Sequence, residues 1–128
     1  MLKFNERAVL GFFYSLSCPM LRGREFLKEC FLVGLEDSCK MQYLHKGVFW
    51  DVSLRMNEEV ANIEKCIRVL FDRWWAKNKI GGLFETKPLP KEAIQTLFEK
   101  FKMNADFESY IPIEERTFSV MDRLFGAY

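Results

Sequence analysis

The side chains able to do chemistry are few and scattered along the chain. A lone histidine, His45, sits in "LHKG", and no serine or cysteine beside it in sequence completes a nucleophile motif. Cys18, Cys30, Cys39 and Cys66 include no C-x-x-C pair, so the spacing of a zinc site is missing. Glu58-Glu59 and Glu114-Glu115 are acidic pairs, but both fall in expected first turns of helices, where negative charge favours the helix dipole. "DFE", Asp106 to Glu108, is too short to specify a metal, and neither a glycine-rich phosphate loop nor a di-iron pattern occurs. The sequence therefore assigns no catalytic, cofactor-binding or metal-ligating residue, and the expectation is a protein that is not an enzyme.

A different kind of chemistry is suggested by "LFDRWWAKNK", Leu70 to Lys79, where adjacent tryptophans run into a basic stretch. Neighbours on a helix are about 100° apart, so one core stripe cannot easily take both rings. Ile63, Ile67, Leu70 and Trp74 follow one another in helical steps, which makes Trp74 the core ring and Trp75 the odd one out. Trp75 lies four residues after Phe71 and near Arg68, Arg73, Lys77 and Lys79, a composition like that of interface hot spots. The bland alternative is that a neighbouring helix covers Phe71 and Trp75. Phe49-Trp50 carries the same double reading.

The elements that must position these residues follow from periodicity. Asn5 and Glu6 open a helix over 5–17, in which Val9, Phe12, Phe13 and Leu16 share a face until Cys18-Pro19 interrupts. Its run "AVLGFFYSLSC" has the length of a signal-peptide core, but Glu6 lies in what would be the cationic leader and Leu16 is badly placed for cleavage before Cys18. A second helix over 21–36 pairs Phe26/Leu27, Cys30/Phe31 and Gly34/Leu35 on one face and leaves Arg24, Lys28 and Glu29 outside.

Residues 38–56 read two ways. Alternation of Val48, Trp50, Val52 and Leu54 suits a strand, with "HKG" turning a hairpin. The preferred reading is helical, because a stripe from Val52 through Met56, Val60, Ile63, Ile67 and Leu70 to Trp74 runs unbroken, with Asp51 as its cap. The long helix covers at least 57–78 and closes on Lys77, Lys79 and Gly81-Gly82. "FETKPLP" is an extended connector, and Ile94, Leu97, Phe98 and Phe101 mark a helix over 90–103 that Asn104 stops. Pro112 opens a final helix on which Thr117, Met121, Leu124 and Tyr128 share a face.

The expected fold is all-α: a single domain over 1–128, five or six helices around the long helix containing "IRVLFDRWW". An α+β form with a small hairpin or meander in about 38–55 is the alternative. A chain of 128 residues with 49% hydrophobic and 16% aromatic content can build a core without disulfides. Its thiols are then expected free and mostly buried, in the cytoplasm. Nineteen basic against eighteen acidic residues leave a net charge of +1, so attraction to polyanions is not a global property. No run reaches the length of a membrane-spanning helix.

These observations favour a small protein-binding protein that occludes a partner, such as an inhibitor, immunity-type or antitoxin-like protein, or an adaptor. Its contact residues would be Arg68, Phe71, Arg73, Trp75, Lys77 and Lys79, facing a partner with an acidic surface; a homodimer would use the same stripe. The competing class is a nucleic-acid-binding regulator using the same aromatic-basic edge, which would bind with strong salt dependence.

Overall fold

A computed structural model describes the backbone of residues 2–103 and the side chains of 5–103. The expected final helix, the Asn104 stop, "DFE" and Glu114-Glu115 lie outside the described residues. Five α-helices follow in order: α1 (Leu2–Ser15), α2 (Arg22–Glu36), α3 (Phe49–Met56), α4 (Val60–Gly82) and α5 (Pro90–Met103). A 3-10 turn, Ser38–Gln42, and a π turn, Leu44–Val48, join α2 to α3. Among the described residues there is no strand, and the helices pack as an all-α bundle.

The hairpin alternative fails on burial. Val48, Phe49 and Val52 are buried while Trp50 and Leu54 face solvent, which is the spacing of a helix and not an alternation of two. Phe49-Trp50 thus divides into one core ring and one exposed ring. The expected continuity from Val52 to Trp74 also fails. Asn57 takes a left-handed conformation (φ 51°), and the Glu58 N–H reaches back to the Ser53 carbonyl at 3.1 Å. That is a Schellman stop, which asparagine tolerates better than most side chains. Asp51 is not a cap; it lies inside α3 and accepts a 2.5 Å hydrogen bond from Lys40.

Although α4 is the longest helix, the element that touches most of the others is α2, which packs against α1, α3, α4 and both short turns. Phe31 of α2 is the aromatic hub. Its ring centroid lies 6.4 and 5.1 Å from Phe12 and Phe13 of α1, and 5.3 and 5.7 Å from Phe98 and Phe101 of α5. On the α4 side Gly23 permits a close crossing: a Cβ added there would stand 2.3 Å from the Cys66 carbonyl oxygen. The apolar positions expected of α5, Ile94, Leu97, Phe98 and Phe101, are all buried.

Lys28 departs from the sequence reading, which left it outside. It is 8% exposed, and its Nζ lies 2.9 Å from Glu6 of α1, 2.9 Å from Glu25 and 3.5 Å from Glu29. With helices on both flanks of α2, the aliphatic stem is covered and the ammonium is met by carboxylates. Burial disfavours the charged form, but hydrogen bonds to Glu25 and Glu6 outweigh it and hold the Lys28 pKa above the usual lysine value.

The α4 terminus ends earlier and more sharply than its glycines imply. Backbone from Lys79 through Gly82 is left-handed, including the non-glycines Lys79 (φ 57°) and Ile80 (φ 56°). Such conformations cost of order 1–3 kcal/mol each and persist only where surroundings over-determine them. Here Trp74 Nε1 and Asn78 Nδ2 both donate to the Leu16 carbonyl, at 3.0 and 3.1 Å, and the Gly81 N–H donates to Asn78 Oδ1 at 2.8 Å. Ile80 is driven into the core at 1% exposure.

Two measurements check this architecture. Gly23→Ala should destabilise the fold by about 1–3 kcal/mol in denaturant unfolding, because backbone and not a flexible side chain opposes the new methyl. Lys28 has a folded-state pKa above its unfolded value, so its stabilising contribution is complete below about pH 10.4 and is lost as pH rises through the folded value. Alkaline loss of stability should accordingly be shallower in Lys28→Met than in the wild type.

Candidate interaction surface on the longest helix

Helix α4 turns Ile63, Ile67, Leu70 and Trp74 inward, and the azimuth of everything else follows from that seam. The opposite face carries Lys65, Arg68, Val69, Asp72, Arg73, Ala76 and Lys77, all exposed. Lys79, in the left-handed turn, is exposed as well. The acidic members of the helix are occupied: Glu64 meets His45 Nε2 at 2.7 Å, and Asp72 meets Lys87 Nζ at 2.6 Å. Lys65, Arg68, Arg73, Lys77 and Lys79 make no ion pair or hydrogen bond among the described residues. Several cations elsewhere are paired, among them Arg22 with Glu58, Lys40 with Asp51 and Arg55 with Glu36, whereas Arg24, Lys46, Lys91 and Lys100 are not paired among the described residues.

The aromatic-basic cluster read from the sequence does not assemble as one patch. Positions 73 and 75 differ by two residues, which places their side chains about 160° apart around the axis. Trp75 shares its flank with Arg68 and Phe71; Arg73 and Lys77 lie toward the other. On that side Lys77 and Arg24 stand near the Cys18 thiol. Burial pushes that thiol up to about 12, and the two cations only partly offset it. All four cysteines are free; Cys18 and Cys30 are buried, Cys66 is half-buried and Cys39 is exposed.

Phe71 cannot serve as a surface anchor. It is 3% exposed and stacks on Trp74 with 13° between ring planes. Trp75 is half-buried and packs against the core, so only part of its ring is available to a partner. Four of the six proposed contact residues, Arg68, Arg73, Lys77 and Lys79, are exposed.

Two features escaped the sequence reading. Lys65 belongs to the outward row, and its helical position relative to Arg68 and Val69 would have shown it. The connector "KPLP" is more than a link: it walls a groove of about 300 Å³ beside α4, with Phe71 and Ile80 beneath and Arg68 at the rim. Nothing local in the sequence places Ile80 there; the left-handed turn does.

His45 is exposed in the π turn, with its ring edge-on to Phe49 at 5.8 Å; with Glu64 it ties that turn to α4. Among the described residues no group of three or more His, Cys, Asp or Glu side chains is placed to hold a metal ion. No helix of the described residues is long and apolar enough to cross a membrane. No protein-family model matches this chain, and no curated protein matches it in sequence.

Because Trp75 is half-buried against the core, Trp75→Ala should cost about 2 kcal/mol of folding stability, roughly half the penalty of removing a fully buried large aromatic. Chemical denaturation followed by circular dichroism measures this directly, and a cost near zero would mean that the ring does not support the fold.

Proposed function

We propose that the protein is a small protein-binding protein that lays the outer face of α4 on an acidic surface of a partner and covers it. An inhibitor, an immunity-type or antitoxin-like protein or an adaptor would fit this reading, which assigns no catalysis. The observation that carries it is the concentration of unpaired cations across the exposed half of α4: Lys65, Arg68, Arg73, Lys77 and Lys79 have no ion-pair partner among the described residues, whereas Arg22, Lys28, Lys40, Arg55, Lys87 and Lys102 elsewhere do. Unpaired surface cations around apolar Val69 and Ala76 suit a polar rim with a small dry centre. Arg68, Arg73, Lys77 and Lys79 select the acidic partner, and the exposed part of Trp75 adds apolar area at the edge. The reading places the protein in the cytoplasm, where a thiol as exposed as Cys39 stays reduced.

The same cations would attract nucleic acid, but α4 offers no open stacking platform. Phe71 and Trp74 are buried and Trp75 is half-covered, whereas single-strand binders present aromatic faces.

The test is capture from a nuclease-treated lysate of the source cells by the wild type and by the double variant Arg73→Glu, Lys77→Glu. Both side chains are solvent-exposed, so the variant should fold normally. A discrete protein should be retained by the wild type and lost by the variant, with an association rate that falls as salt rises. Retention unchanged by charge reversal, or capture abolished by nuclease, would overturn the reading.

A further inference from the structure

The groove beside α4 has a composition that specifies more than a charge. Its floor is apolar and fully formed, with Phe71 at 3% and Ile80 at 1% exposure. Its wall is Pro88-Leu89-Pro90, where each proline has a fixed φ and no N–H, and Leu89 stands 74% exposed. At the rim Asp72 and Lys87 neutralise each other across 2.6 Å, which leaves the Arg68 guanidinium as the unbalanced charge. A volume of about 300 Å³ is at the small end of ligand pockets, enough for one large side chain.

We propose that this groove receives an apolar side chain of an acidic protein segment whose neighbouring carboxylate pairs with Arg68. The charge at the rim selects the partner, because a guanidinium presents a planar donor fork that matches a carboxylate bidentately. The proline-framed wall is already ordered, so little conformational freedom is lost when the side chain enters. Since Pro88 and Pro90 supply no backbone donors, this wall offers an incoming chain only an interrupted ladder, and recognition runs chiefly through side chains. The inference rests on the reading of α4 as a surface for an acidic protein and names the contact that gives that surface its specificity.

Selection of displayed random peptides on the full chain tests it, followed by titration of the strongest synthetic peptide. Enriched sequences should place a large apolar residue beside Asp or Glu. Arg68→Ala in the protein, or replacement of the apolar residue by Ser in the peptide, should each weaken binding about tenfold or more, as loss of an interface anchor does. Leu89→Ser, at an exposed position that leaves the fold intact, should weaken it as well. Basic or purely acidic selected sequences, or binding indifferent to Arg68→Ala and Leu89→Ser, would overturn the groove. So would self-association of the chain that Leu89→Ser abolishes, since the occupant would then be a second copy. The two proposals fail separately: if reversal at Arg73 and Lys77 still removes the captured partner while the groove variants bind normally, only the groove is wrong.

Discussion

The packing of four phenylalanine rings around Phe31 is the contact on which the rest of the structure depends. Phe12 and Phe13 approach from α1, Phe98 and Phe101 from α5, and all are buried. Aromatic side chains each bury about 150–250 Å² and favour tilted or edge-on pairs over face-to-face sandwiches. Two of these pairs, Phe13–Phe31 and Phe31–Phe98, are edge-on at 72° and 83°. Helices from both ends of the described chain are thereby fastened to α2, while Gly23 lets α4 close over the start of the same helix. A helix covered from several sides has little surface left for charge, and Lys28 shows the consequence: its ammonium is retained only because carboxylates of α1 and α2 surround it.

With α2 in the middle, α4 becomes an outer wall with one face to the core and one to water. Its end is held by a single carbonyl, that of Leu16, which accepts from both Trp74 and Asn78. This anchorage lets the chain run left-handed through Lys79 and Ile80 and brings Ile80 back beneath the connector. The groove beside Arg68 is a by-product of that reversal. The outer face acquires its character by subtraction, since Glu64 and Asp72 are engaged by His45 and Lys87, and the cations between them are left unpaired. On a protein with a net charge of only +1, such a concentration of cations is a local property of the exposed half of one helix and not of the whole molecule.

Helical periodicity alone favoured the all-α class over a form with a small hairpin in about 38–55, and it gave the extents of α1, α2 and α5 to within a few residues and the assignment of Trp74 to the core seam of α4. Strong amphipathic spacing leaves little choice about which face is buried. The break at Asn57 was not legible, because the apolar stripe continues in phase across it and a left-handed residue leaves no trace in such a pattern. Nor could the sequence show that Lys28 is enclosed, since that depends on which helices flank α2. The candidate contact residues were drawn from neighbours in sequence, yet helical geometry sends Trp75 and Arg73 to opposite flanks, and tertiary packing removes Phe71 into the core. Only the tertiary structure decided which cations are left without partners and where a groove opens, because ion pairing and concavity arise between elements that are distant along the chain.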